Sequence, residues 1–163
     1  MISILNNMFS ASRLSEAIKG MASFSQSGVY SQEAFRSLLE SESKRSERSG
    51  RFCQILLVYW TDAQGGIVQM DSNVAKTVIA ASSRSLRETD YIGWYRDGRI
   101  VGAVLTVLAQ ELMPQVSTHL QPRLAENIRA KLGAEEISRL RIQVCQHYEL
   151  EGIVSGEGTV AVN

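Results

Sequence analysis

The chain has no excess of charge of either sign: among its 163 residues, seventeen Lys and Arg balance seventeen Asp and Glu. Without a global field nothing steers it onto a nucleic-acid backbone or an anionic membrane, so the composition argues against a general nucleic-acid binder and leaves open only a local basic patch. Long apolar runs are missing too. Stretches such as Ile55-Leu56-Leu57-Val58 fall far short of the roughly 20 residues that span a bilayer. Cysteine is scarce, with Cys53 and Cys145 in no CxxC pair. Cys145 with His147 offers two metal ligands where a zinc site takes three or four. The only other histidine, His119, is distant in sequence. No secretory signal pattern opens the chain, so the expected compartment is the cytoplasm and the cysteines are read as reduced core thiols. Gly65-Gly66 lacks a phosphate-loop lysine, and no Gly-x-Ser-x-Gly elbow is present.

What is there reads as one ordinary folded domain, with 44% hydrophobic and 21% charged residues. Residues 1–27 mix apolar residues with serines, and Leu14, Ala17, Ile18 and Met21 recur at helical spacing, giving an N-terminal helical or irregular arm. Ser31 starts a helix that runs to about Arg48 with Phe35, Leu38 and Leu39 as its apolar stripe and a mixed-sign solvated face. Phe52 to Trp60 is a strand buried on both faces, followed by a turn through Asp62 and Gly66. Ile67 to Met70 adds a brief strand, and Asp71 or Ser72 caps a helix that extends to about Arg87 and buries Val74, Val78 and Ala81. Asp97-Gly98 between two strand-like runs predicts an antiparallel hairpin over 91–107. Val116, Leu120, Leu124, Ile128 and Leu132 mark a helix that restarts near Pro122 and ends at Gly133. Arg139 to Tyr148 alternates as a half-buried strand, and 153–162 reads as a last edge strand.

A hairpin at the centre of this order argues for an α+β sheet layered with helices, not a doubly wound parallel sheet. The order, together with Phe35-Arg-Ser-Leu-Leu-Glu, Arg87-Glu88-Thr89-Asp90 and the Trp94 to Ile100 hairpin, resembles the GGDEF family of bacterial diguanylate cyclases. The resemblance covers roughly 30–148. It implies a palm-like, mostly antiparallel central sheet flanked by helices, as in nucleotide cyclases, with 28–163 forming one degenerate GGDEF-like domain.

In an active cyclase of this family the signature is Gly-Gly-(Asp/Glu)-Glu-Phe. Its small residues let the backbone approach the nucleotide, and its acids hold divalent metal. The matching residues here are Arg96, Asp97, Gly98, Arg99 and Ile100, so both acidic places are lost. The first-strand metal aspartate falls at about Tyr59, and the family's Phe-Lys-x-x-Asn-Asp pattern is absent. The resemblance therefore implies no catalytic residues, no metal and no cofactor.

What survives is the Arg-x-x-Asp of the family's inhibitory product site, here Arg87 and Asp90. The guanidinium would donate to the O6 and N7 edge of guanine and the carboxylate would accept from N1 and N2, with Arg84 one turn earlier adding charge for a phosphate. The same residues can instead pair with each other or satisfy turn amides. The implied function is a catalytically inactive regulatory domain in bacterial signalling. Its partners would be cyclic di-GMP at Arg87 and Asp90, a protein partner or a second copy, and no nucleic acid. An enzyme with a repurposed nucleotide cleft is the alternative.

Overall fold

The computed structural model describes residues 29–51, 53–105 and 119–154. The N-terminal arm, Phe52, Val116 and most of the expected tail strand lie outside them. In chain order the elements are α1 (Gln32–Ser49), β1 (Gln54–Thr61), β2 (Ile67–Val68), α2 (Ser72–Ser85), β3 (Tyr91–Arg96), β4 (Ile100–Leu105), α3 (Gln121–Arg129), α4 (Ala134–Arg139), β5 (Leu140–Gln146), a 3-10 turn at His147–Glu149, and α5 (Leu150–Val154). The expected α+β architecture is present. All strand pairs between these elements are antiparallel, with β1 at the centre between β4 and β5 and β3 beyond β4.

Local chemistry sets the element ends. The Ser31 hydroxyl accepts the Ala34 N–H at 3.3 Å, and Gly50 closes α1 in the left-handed region at φ 66°. Asp71 caps α2 by accepting the Val74 N–H at 2.8 Å. β1 is apolar on both faces because helices cover both. Leu56, Val58 and Trp60 pack with Val74 and Val78 of α2 and Leu124 and Ile128 of α3, while Ile55 and Leu57 pack with Phe35 and Leu39 of α1. Both cysteines are free and buried in the α1-side cluster, as expected of core thiols.

Phe35 sits over two glycines paired across β3 and β4, Gly93 and Gly102. A Cβ on Gly93 would come within 2.6 Å of the Phe35 ring, and one on Gly102 within 2.8 Å. The missing side chains are the seat for the ring.

Two expectations are corrected. The Pro122 helix ends at Arg129, and Gly133 precedes the separate α4, where its N–H donates to the Glu136 carboxylate at 3.0 Å. Ile153 and Val154, expected to begin an edge strand, belong to α5, which buries Leu150 in the α1-side cluster. No helix among the described residues is long and apolar enough to cross a membrane.

Candidate functional site

Two regions carry the residues singled out by sequence, and the fold separates them. The first is the corner between α2 and β3. α2 stops at Ser85 because Leu86 turns extended (φ −96°, ψ 161°), and Arg87 to Asp90 form a tight turn in which the Asp90 N–H donates to the Arg87 carbonyl at 3.0 Å. The Asp90 carboxylate accepts twice from Arg87, from its N–H at 3.0 Å and from its guanidinium at 3.2 Å. Asp90 is enclosed, its side chain 3% exposed, whereas that of Arg87 is 53% exposed. Arg84 is exposed in the last turn of α2. α3 leans on the same corner: the Arg123 guanidinium donates to the Ser85 carbonyl at 2.5 Å and the Asn127 amide to the Ser85 hydroxyl at 3.0 Å.

The second region is the β3–β4 hairpin. The Arg99 N–H donates to the Arg96 carbonyl at 3.0 Å, closing a turn with Gly98 in the left-handed region at φ 69°. Tyr95 is the extra residue of a bulge, since Trp94 pairs with Val101 and Arg96 with Ile100. Neighbouring elements clamp the turn from two sides. From α1, Gln32 accepts the Asp97 N–H at 2.7 Å, and Arg36 donates to the Tyr95 carbonyl at 3.2 Å while lying 5.1 Å from the centre of its ring. From the β2 side, Arg99 donates to the Ile67 carbonyl at 3.1 Å and the Gly98 carbonyl accepts the Met70 N–H at 2.8 Å.

Register fixes what faces this end of the sheet. Tyr59 stands directly between Ile100 of β4 and Arg141 of β5. Its hydroxyl donates to Gln143 at 3.1 Å, and burial holds its pKa above the ordinary phenol value. Arg36, Arg141 and Gln143 were not among the residues singled out by sequence. For the β5 pair a usable signal existed, because strand alternation sets Arg141 and Gln143 on one face.

No family model matches the sequence, and no curated protein does either. Solved structures do match. The diguanylate cyclase SiaD of Pseudomonas aeruginosa, solved in complex with its activator SiaC, superposes with a TM-score of 0.52 at 17% identity over 95% of this chain and 67% of that one. The GGDEF domain of TpbB (YfiN) from the same organism superposes with a TM-score of 0.55 at 14% identity, covering 76% of this chain and 74% of the other. The chain has the fold of a GGDEF domain. On that GGDEF fold, the hairpin bearing Arg96 to Ile100 and the corner bearing Arg87 and Asp90 occupy opposite ends of β3.

Proposed function

We propose that this GGDEF-like chain is a catalytically inactive regulatory domain of bacterial signalling that binds cyclic di-GMP at the Arg87–Asp90 corner. The observation that carries the inactive part is the row Ile100, Tyr59, Arg141, beside a turn made of Asp97, Gly98 and Arg99. Magnesium takes oxygen ligands and bridges carboxylates to substrate phosphates. At the family's metal positions stand a phenol tied to a glutamine, a glycine and an arginine, which do not supply that donor set, and the turn keeps a single carboxylate, Asp97.

The receptor part rests on the exposed guanidinium of Arg87. Asp90 orients that guanidinium, and the planar fork of a guanidinium matches the guanine O6 and N7 edge. Asp90 is enclosed, so its contact with guanine N1 and N2 requires the guanidinium to swing off Oδ1. Lifting the guanidinium off an enclosed carboxylate costs about 1–3 kcal/mol, which contacts to the bound base must offset. Arg84 then supplies charge to a phosphate. We place the domain in the cytoplasm, where it passes its state to a protein partner or a second copy.

The test is calorimetric titration of the chain and of Arg87→Ala with cyclic di-GMP. The wild type should release binding heat and the variant none. No heat from the wild type at ligand concentrations in the tens of micromolar refutes the receptor. Incubation with GTP and magnesium should yield no cyclic di-GMP, and turnover abolished by a hairpin substitution would refute the inactive reading.

A further inference from the structure

The sheet has two outer edges, and they are finished differently. β3 is closed by Tyr30, whose N–H donates to the Ile92 carbonyl and whose carbonyl accepts the Trp94 N–H, each at 3.0 Å. β5 is bordered by β1 alone among the described residues. In an antiparallel ladder the N–H and C=O of one residue point the same way, and successive residues alternate. The His147 N–H donates to the Cys53 carbonyl at 3.3 Å. Arg141, Gln143 and Cys145 therefore turn their main chain to β1, and Leu140, Ile142, Val144 and Gln146 turn theirs outward.

Local contacts finish the two ends of that outward row. The Leu140 carbonyl accepts from the Arg141 guanidinium at 2.9 Å while its N–H donates to the Ile137 carbonyl, and the Gln146 N–H donates to Glu149 at 2.7 Å. Between them the Ile142 carbonyl accepts the Gln121 amide at 2.7 Å. Among the described residues nothing engages the Ile142 N–H or the N–H and carbonyl of Val144. The open stretch is thus centred on Gln143. Clefts flank it on both faces, one lined by Gln121, Ala125, Arg129 and Ile142, the other by Gln143, Cys145, Glu149 and Ile153. An edge of this kind is a template for another strand.

We propose that a second copy of this chain pairs there, β5 against β5 about a two-fold axis through Gln143. The one antiparallel register that pairs all seven residues of β5 sets Ile142 opposite Val144 of the other copy, so the open main-chain groups of each copy meet those of the other. Charge agrees with that register. Arg141, which shares the α1 face of the sheet with Cys145, comes opposite Cys145 of the other copy, and the cleft beside Cys145 carries Glu149 and no Lys or Arg. The carboxylates of α4 are turned elsewhere, since Glu135 and Glu136 line the cleft with Trp60 and Asp71, and Glu135 pairs with Arg139. An edge that carries its own complement favours a second copy over an unlike strand. The pairing rests on the second-copy part of the proposed function and needs no nucleotide at the Arg87 corner, so the calorimetric test and the one below fail independently.

Sedimentation equilibrium of the full chain from about 0.01 to 1 mM should pass from the mass of one chain to that of two. Val144→Pro removes an outward N–H that the β1 ladder does not use and should hold the chain at one mass with circular dichroism unchanged. Gln143→Cys should crosslink two copies under mild oxidation, because residues opposed at a non-hydrogen-bonded position stand about 4.5 Å apart. The wild type, whose cysteines are buried, should stay uncrosslinked. Arg141→Glu and Glu149→Lys should each weaken association by about fivefold or more, and an equal mixture of the two variants should restore it. A single-chain mass throughout, a dimer indifferent to Val144→Pro, no crosslink in Gln143→Cys, a mixture no tighter than either variant, or dimers formed only after removal of residues 155–163 would overturn the proposal.

Discussion

The two ends of β3 use arginine in opposite ways. At the corner that precedes the strand, Arg87 is matched by an enclosed carboxylate, and the pair forms a compact unit with a donor edge and an acceptor edge. At the hairpin that follows, Arg36 and Arg99 are held by carbonyls and an aromatic ring and stand in no ion pair among the described residues. A matched pair suits an uncharged, patterned edge such as that of guanine, whereas a guanidinium held by carbonyls ties a turn to its neighbours. The contrast teaches that net neutrality says little about local recognition. The same residue type supports pattern reading in one place and clamps a turn in another.

The comparison breaks most severely if the frame common to both ends fails. Phe35→Ala should cost about 3–5 kcal/mol in denaturant unfolding, because the ring is fully buried over Gly93 and Gly102. Gly93→Ala should cost about 1–3 kcal/mol or more by overpacking the same seat. Arg36 is the next residue on α1, so both changes should loosen hairpin amides in hydrogen exchange before those of α2.

A smaller effect separates the two ends. Asp90→Ala removes the acceptor for the Arg87 N–H and guanidinium and should lower stability by about 1–2 kcal/mol. It should abolish cyclic di-GMP binding while leaving the amide chemical shifts of Asp97 to Ile100 unmoved. Loss of binding together with shifted hairpin amides would show that the corner and the hairpin are one unit. Beside the hairpin, Asp71→Ala should cost about 1 kcal/mol as a lost helix cap and leave cyclic di-GMP binding unaltered.

The smallest effect lies in the core behind both. Burial pushes the Cys53 thiol up to about 11 and the Cys145 thiol up to about 12. The folded state therefore favours the protonated thiols. Their contribution is fully present below about pH 9 and is lost as the pH rises from there through about 11 for Cys53 and about 12 for Cys145. Iodoacetamide at pH 8 should label neither thiol in the native protein and both in denaturant.

Much of the fold was legible because its causes are local. Ser31 and Asp71 are caps recognisable by residue type, Gly50 and Gly98 stand where backbone turns left-handed, and the apolar run of β1 announces a strand covered on both sides. What was not legible depends on register or on contacts far apart in sequence. Gly93 and Gly102 become one seat only once β3 and β4 are paired, and Arg36 meets Tyr95 across 59 residues. Gly133 looked like a helix end because glycine serves helix ends and helix starts alike. The turn between Arg87 and Asp90 was anticipated in both its ligand-binding and its self-paired form, and the free chain adopts the self-paired one.

The most direct test of the two-ended account is an amide chemical-shift map recorded while cyclic di-GMP is added to the isotopically labelled chain. The account predicts shifts concentrated at Arg87 to Asp90, with Arg84 affected and Asp97 to Ile100 unmoved. Shifts centred on the hairpin, or none anywhere, would contradict it.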